Sequence, residues 1–239
     1  ENGYELAGSY LNGQVVNSLG GGICQVSTTL YNAILRAELQ VDERSNHSMI
    51  VNYVEPSEDA AISESGGKDF KFTNNKEYPI YIEGVTTPEK TITFTVYGVE
   101  DRPTNRKVTY ESEVLETNVP STEKIIPTAD PVGYVNVQSV HVGYKARLWK
   151  VVTEDGVEVS REQVNSSHYT AVPRTATVGT ATADPNMASQ IQAAIATGSI
   201  DYVKSVAGAL AAQQAALAAQ QAGLNVGVTE DAGTGATDG

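Results

Sequence analysis

The single cysteine of the chain, Cys24, follows a run of three glycines, Gly20 to Gly22, and opens a helical pattern over 25–39. A thiol in the first turn of a helix lies beside unpaired backbone N–H groups and the positive end of the helix dipole, and both favour the thiolate. A thiolate nucleophile also needs a neighbouring imidazole. The first hundred residues contain one histidine, His47. The sequence therefore suggests a catalytic pair with Cys24 as nucleophile and His47 as base.

Other residues complete this hypothesis. Asp59, or alternatively Asn46, would orient the histidine, and Gln25 or the backbone amides of Cys24 and Gln25 would donate to an oxyanion. The order of a cysteine at a helix start, a histidine at a strand start and then an acid resembles papain and transglutaminase-like enzymes. The alternative is that the cysteine is a small buried apolar residue and the histidine is structural.

Polar residues beside the histidine suggest ligand contacts. Arg44 would pair bidentately with a carboxylate, such as that of an acidic peptide stem, and Asn46 would bond a polar ligand. One cysteine and one histidine fall short of the three or four ligands of a usual metal site, even if Asp59 or Glu58 contributes. We therefore expect neither a metal nor another cofactor.

Composition excludes several classes of protein. The 239 residues carry a formal net charge of −13, with a pI near 4.6, which argues against a nucleic-acid partner. A single cysteine cannot form an internal disulfide. No apolar run is long enough to span a membrane. The chain starts at Glu1 without Met or a signal, which is typical of a processed fragment.

The chain divides into regions of different pattern, with an α+β fold overall. Over 1–101, the helix at 25–39 is predicted to pack on a mostly antiparallel sheet. Its strands are predicted at 40–43, 49–54, 69–74, 80–85 and 91–97. Over 106–180, alternating apolar and polar residues predict a small, elongated all-β module.

The remainder is rich in Ala and Gln. A helical tail is predicted over 184–226, starting at Asp184–Pro185, and a disordered end over 227–239. The apolar positions Val203, Leu210, Leu217 and Leu224 fall seven apart. This seam indicates a helix that docks on its own protein or on a neighbouring subunit, which would offer a route to self-association. The alternative is a free coiled-coil or stalk segment.

Three separated motifs, at 20–33, 44–48 and 70–74, resemble the VanW family. The family is named for a gene found in some glycopeptide-resistance clusters. It occurs in the cell-envelope proteins of bacteria, mainly Gram-positive, and its activity is not established. The chain departs from the family pattern at 57–61, which lacks the usual Gly before the Asp and the Thr after it. The family usually has a longer N-terminal part, so the resemblance predicts a VanW domain truncated at its N-terminus.

The second region is similar to the five-glycine (G5) domain family. The likeness is carried by Tyr110–Glu111, Gly143–Tyr144, 155–162 and 178–180. This resemblance implies an all-strand module of surface proteins that binds wall polymers containing N-acetylglucosamine. Tyr144 and Trp149 would then stack on sugar faces.

These observations leave three functions open. The first is an extracellular, envelope-associated protein that binds peptidoglycan or another wall glycan and has a ligand groove around Cys24 and His47. The second is a Cys–His enzyme that hydrolyses or transfers amides of wall peptides. The third is a structural spacer at the cell surface.

Overall fold

The computed structural model describes residues 3, 5–11, 13–63 and 66–229. Within these ranges the chain forms twelve strands and three helices. In chain order they are β1 (Leu6–Leu11), β2 (Gln14–Leu19), α1 (Ile23–Arg36), β3 (Gln40–Glu43), β4 (Lys71–Thr73), β5 (Tyr81–Thr86), β6 (Ile92–Tyr97), β7 (Arg106–Asn118), β8 (Glu123–Pro131), β9 (Val135–Gln138), β10 (Gly143–Glu154), β11 (Val157–Tyr169), β12 (Arg174–Ala181), α2 (Pro185–Ala196) and α3 (Ile200–Thr229).

Helix α1 starts earlier than the apolar periodicity alone predicts. Its N-cap is Gly22, in the left-handed conformation at φ 85°, and no side chain caps the helix. Glycine adopts this conformation at little cost, so the chain turns into the helix directly from β2. Cys24 thereby becomes the second residue of the helix rather than the residue that precedes it.

The predicted single sheet of the first region is instead three separate antiparallel pairs, β1 with β2, β3 with β4, and β5 with β6. The strand predicted over 49–54 is wrong, because this segment is irregular and its apolar residues Met49 and Val51 are buried as part of a loop. Two-stranded hairpins offer little apolar surface for a helix to bury. Helix α1 therefore also packs Tyr31 and Leu35 against Leu148 of β10.

The second region supplies that surface as a three-stranded antiparallel sheet in the order β11-β10-β7. Its residues alternate between two faces, as side chains do along any strand. The inner face carries Leu148, fully buried, and Tyr110, whose hydroxyl donates to the Leu35 carbonyl at 2.6 Å. The outer face carries Arg147 and Trp149.

A buried carboxylate ties the C-terminal end of α1 to this sheet. Glu38, whose side chain is 8% exposed, accepts bonds from Arg106 of β7 at 2.6 Å and Lys150 of β10 at 2.6 Å. Burial raises the pKa of Glu38, but the bonds and charges of these two cations outweigh it and lower the pKa to about 2. The helix is thus fixed at this end by an ionised acid.

The strands divide between two compact units, and the chain passes from one to the other more than once. One unit contains residues 1–120 and 140–172, and the other contains 121–139 and the chain from 173 onward. The all-strand region at 106–181 therefore contributes to both units. No helix in the described ranges is long and apolar enough to cross a membrane.

In the second unit, α2 and α3 pack on a mixed sheet in the order β8-β12-β9, in which β8 and β12 are parallel. Asp184 caps α2, as predicted, and accepts from the amides of Asn186 and Met187. The predicted seam is divided. Val203 and Leu210 are buried in the core of the unit, whereas Leu217 is 44% exposed.

Of the other residues predicted in the tail, the side chain of Leu224 lies outside the described residues. The helix α3 extends to Thr229, three residues into the segment predicted to be disordered. The rest of that segment, 230–239, also lies outside the described residues.

Gly21 provides a test of how α1 is positioned. A Cβ added at Gly21 would lie 2.1 Å from the Ala7 carbonyl oxygen, so β1 or the helix entrance would have to move. We expect Gly21→Ala to lower the free energy of unfolding by roughly 1–3 kcal/mol, measured by urea denaturation. Gly208→Ala is the control, because its Cβ would meet nothing within 4 Å in α3. That variant should be slightly more stable than the parent, by about 1 kcal/mol or less; equal effects of the two changes would contradict this account.

Candidate active site

Cys24 occupies the first turn of α1, where no acidic residue competes for the positive end of the helix. The side chain is half-buried, and its Sγ lies 3.4 Å from the carbonyl oxygen of Ile62. The imidazole of His47 lies close enough to the thiol to lower its pKa through hydrogen bonding and charge. The structure thus brings together the cysteine and the histidine that the sequence pairs.

His47 is held from its opposite side. Its Nδ1 lies 2.7 Å from Oδ2 of Asp59, which leaves Nε2 as the ring nitrogen available to the thiol of Cys24. The ring is also packed edge-on, with the centroid of Tyr10 at 6.2 Å and that of Tyr53 at 6.4 Å. This arrangement fixes the imidazole between an acid and a thiol.

Asp59 has no exposed surface, and four donors converge on its carboxylate. The Oδ2 accepts from the backbone N–H of His47 at 2.7 Å and from its Nδ1. The Oδ1 accepts from Nη2 of Arg44 at 2.8 Å and from the hydroxyl of Tyr169. A carboxylate in which each oxygen accepts two hydrogen bonds in this way is held ionised and cannot rotate.

The pKa shifts follow from these contacts. Burial raises the pKa of Cys24, but the hydrogen bonds to His47 and the Ile62 backbone and the charges of His47 and Lys68 outweigh it, so the pKa lies below its ordinary value. Burial lowers the pKa of His47, yet Asp59 and Cys24 together raise it to about 8. Burial likewise raises the pKa of Asp59. The hydrogen bonds from His47 and Tyr169 and the charge of Arg44 outweigh burial, so this pKa lies below its ordinary value. Both the lowered pKa of Cys24 and the raised pKa of His47 favour the charged pair, a thiolate beside an imidazolium.

The residues expected to bind ligands beside the histidine are used within the fold. The side chain of Arg44 is 6% exposed, and it donates to the carbonyl and carboxylate of Asp59 and to Ser167. Asn46 donates to the carbonyl oxygens of His47 and His168. Both side chains thus hold the loop that carries His47 and Asp59.

Gln25 lies next to the cysteine and is exposed. Its backbone N–H donates to the Gly22 carbonyl at 2.9 Å. Of the two groups that Gln25 offers an oxyanion, the side-chain amide is therefore the accessible one.

Trp149 and Tyr144 lie on opposite faces of the three-stranded sheet. Tyr144 is the cross-strand partner of Tyr169 on the inner face. Trp149, on the outer face, donates its indole N–H to Glu113 at 2.6 Å, and the guanidinium of Arg147 lies 4.5 Å from its ring. The two aromatic side chains do not form one common stacking surface.

Several residues of the site are not predicted by the motifs of the sequence. Tyr10 lies on β1, whose hairpin with β2 is signalled by the dipeptide Asn12–Gly13 between two apolar-polar runs. Lys68 donates to the Asn46 carbonyl at 2.6 Å and places a positive charge near the thiol. Nothing local in the sequence marks Tyr169 or Ser167, which approach Asp59 only through the fold.

An open cleft of about 600 Å³ includes in its lining Tyr53, the ring that packs edge-on against His47. Its walls come from the outer face of α1, the loop at 52–58 and β6, and they include Arg36, Glu58 and Phe94. The cleft combines apolar surface with groups of both charges. Among the residues described, no three or more His, Cys, Asp or Glu side chains come together as a metal site.

Comparison with known proteins gives two family matches. Residues 1–97 match the model described as VanW like protein, and residues 111–181 match the G5 domain model. YoaR, an uncharacterised protein of Bacillus subtilis (strain 168), is 48% identical over 80 residues, which are 34% of this chain and 26% of the relative. The chain thus matches only about a quarter of that relative's length.

Two solved structures are similar over the second match. The IgA1 protease G5 domain is 26% identical and covers 32% of this chain and 94% of its own, with a TM-score of 0.20. HP0197-G5 is 20% identical, and the match covers 30% of this chain and 99% of HP0197-G5, with a TM-score of 0.15. With such TM-scores the superpositions add nothing to the sequence matches.

The electrostatics of the site predict the pH dependence of thiol alkylation. In His47→Gln the imidazolium and its bond to the thiolate are lost, so the pKa of Cys24 should rise. At about pH 7, alkylation by iodoacetamide should then slow by about tenfold or more, since one pKa unit corresponds to a tenfold change in thiolate. Near pH 10 the two proteins should react at similar rates. The control is His168→Gln, which removes an exposed imidazole and should leave the profile unchanged. A profile of His47→Gln that superimposes on the parent's would refute the pairing.

Proposed function

We propose that this chain, a VanW-like domain followed by a G5 domain, is a cell-wall-associated enzyme that cleaves or transfers amides of wall peptides through Cys24. The observation that carries the proposal is a fully buried Asp59 bonded to Nδ1 of His47 at 2.7 Å, with the imidazole in turn lowering the pKa of the Cys24 thiol. A nucleophile, a base and an orienting acid in this relation form the catalytic triad of thiol acyl-transfer enzymes. The cell-wall association is supported by the two family matches.

The chemistry begins with attack of the Cys24 thiolate on the carbonyl carbon of the amide. The oxygen gains the electron pair of the C=O bond and becomes an oxyanion. As the C=O bond re-forms, the C–N bond breaks, and His47 gives its Nε2 proton to the departing amine. The products of this half are a thioester on Cys24, a free amine and a neutral imidazole.

The second half regenerates the site. Neutral His47 takes a proton from an incoming water or amine, which attacks the thioester carbonyl. The C–S bond breaks, and the electron pair returns to sulfur beside the imidazolium. With water the product is a carboxylic acid, and with an amine it is a new amide.

The helix entrance supplies the groups that would stabilise the oxyanion. Cys24 is the second residue of α1, so its backbone N–H is one of the first-turn amides for which the helix itself supplies no i−4 carbonyl. The exposed side chain of Gln25 is the second donor. We assign Arg44 and Asn46 to positioning, because their donors are bonded to the loop that carries His47 and Asp59.

The cleft beside Tyr53 is the place we assign to the peptide substrate. It adjoins the triad through a shared aromatic wall, and it offers Arg36 to a carboxylate and Glu58 to an amine. Peptides of the cell wall carry both groups. An amide carbonyl at Cys24 with its flanking residues in this cleft accounts for the position of both features.

The direct test is turnover of wall material. Incubation of the full chain with peptide-bearing wall fragments should release new amino groups, or form new amides, detected by mass spectrometry. Cys24→Ser should abolish the change, and Asp59→Asn should slow it by about 10²-fold or more, since mispositioning the base removes most of its contribution. His168→Gln should retain the parent rate. No product with the parent chain on wall fragments of differing peptide composition would refute the enzyme.

A second function, binding of wall glycans, is favoured by the G5 match over 111–181. Trp149 is the aromatic candidate for it. Arg147 covers one face of the indole, so a sugar would stack on the opposite face. This surface lies on the face of the sheet that points away from Cys24, so the two functions would not compete for space.

Retention of the full chain on insoluble wall material tests this second function. Trp149→Ala should reduce the bound fraction several-fold, because stacking contributes about 1 kcal/mol or more. The control Tyr202→Ala removes an aromatic side chain that is 53% exposed in α3 and should bind like the parent. Equal retention of both variants would remove Trp149 from the binding site. If the parent chain shows neither turnover nor retention, the structural spacer remains as the function.

A further inference from the structure

We infer that strand β11, which belongs to the G5 match, completes the catalytic site of the VanW-like domain, with Tyr169 and Ser167 as positioning residues for Asp59 and Arg44. The inference builds on the proposed function, since it concerns the same triad. It assigns the second matched segment a part in catalysis in addition to any glycan binding. All the residues concerned lie in one compact unit.

Tyr169 makes the most direct contact. Its side chain is 1% exposed, and its hydroxyl donates to Oδ1 of Asp59. The same hydroxyl accepts from the backbone N–H of Ser57 at 2.7 Å. One phenol thus fixes both the carboxylate that orients His47 and the loop backbone two residues before it.

Ser167 acts through the cation. Its hydroxyl accepts from Nη1 of Arg44 at 2.9 Å and lies 2.9 Å from the hydroxyl of Ser57. Arg44 uses its other nitrogens on the carbonyl of Asp59 at 2.6 Å and on its carboxylate at 2.8 Å. The hydrogen bond to Ser167 therefore helps to hold the guanidinium of Arg44 in the position from which it donates to Asp59.

Two backbone contacts hold the histidine loop on the same strand. The carbonyl of His168 accepts from Asn46 at 2.9 Å, and the amide of Thr170 donates to the carbonyl of Ser48 at 2.7 Å. These bonds lie on either side of His47. The strand therefore positions both partners of the triad that come from the loop, His47 and Asp59.

The spacing of these side chains explains why a strand suits the task. Asn165, Ser167 and Tyr169 are every second residue of β11 and point to the same face. Asn165 donates to the hydroxyl of Tyr31 at 2.7 Å and to the carbonyl of Ser57 at 3.1 Å. Three consecutive inward positions thus bond to α1 and to the loop before Asp59. Residues 1–97 hold the reacting atoms, but the polar shell around the acid is incomplete without residues 165–170.

The test compares Tyr169→Phe with Tyr110→Phe in the full chain. Both changes remove one hydroxyl that joins the inner face of the sheet to the first domain, but Tyr110 bonds to the Leu35 carbonyl, at the other end of α1. The readout is the rate of Cys24 alkylation against pH. Loss of a donor raises the proton affinity of Asp59, so the loss of reactivity at low pH should occur at higher pH in Tyr169→Phe, with a rate near pH 6 reduced several-fold. Tyr110→Phe should follow the parent profile.

Folding and turnover keep this test decisive. Circular dichroism and urea denaturation show whether each variant is folded. An equal loss of stability in both variants does not support the positioning role of Tyr169. If Tyr169→Phe does not fold, Ser167→Ala is measured in its place, with the same upward shift expected. A folded variant whose profile superimposes on the parent's overturns the inference.

The outcome is separable from that of the proposed function. If wall peptides are turned over, Tyr169→Phe should lower kcat with little change in KM, because the tyrosine does not line the cleft. If the parent turns over nothing but the profile still shifts, the positioning by β11 stands and the proposed reaction fails. If the parent is active and neither variant alters profile or kcat, the reaction stands and the inference fails.

Discussion

Four hydrogen bonds converge on the carboxylate of Asp59, and the rest of the site is arranged around the need to satisfy it. An ionised acid without solvent contact is costly unless every lone pair is bonded. Its donors come from the loop that carries His47, from Arg44 and from Tyr169 of β11. Because the acid is fixed, the imidazole is fixed, and the thiol at the helix entrance receives a partner in a defined position.

Helix α1 depends on buried acids near both of its ends. Close to its start, the Asp59 cluster joins the loop to β11, and beyond its end Glu38 accepts from Arg106 and Lys150. Between them, Tyr31 and Leu35 pack against Leu148. The apolar contacts hold the helix against the sheet. The directional hydrogen bonds and ion pairs fix the position of its first turn, which contains Cys24.

The three-stranded sheet thereby separates two kinds of surface. Its inner face is occupied by the contacts that build the Cys24 site. Its outer face presents Trp149 with Arg147 and Glu113, bonded to one another. Because alternate residues of each strand point to opposite faces, one strand can serve both surfaces without compromise. Under the proposed function, a wall polymer on the outer face and a peptide at Cys24 would not compete for space.

The sequence by itself determined the chemistry at the helix entrance: a glycine run that allows the turn, a cysteine in the first turn, and a histidine and an acid in the following loop. It also determined the long alternating strands and the cap of α2, because these are local patterns. Only the tertiary structure decided that the donors of Arg44 and Asn46 bond to the loop and to β11, that Tyr144 and Trp149 face opposite ways, and that Tyr169 reaches Asp59 across 110 positions of the chain. Such contacts have no local signature, because they depend on which face of a distant strand meets a loop. The partners of a buried charge can be distant in the sequence, whereas the periodicity of apolar residues reports only on local structure.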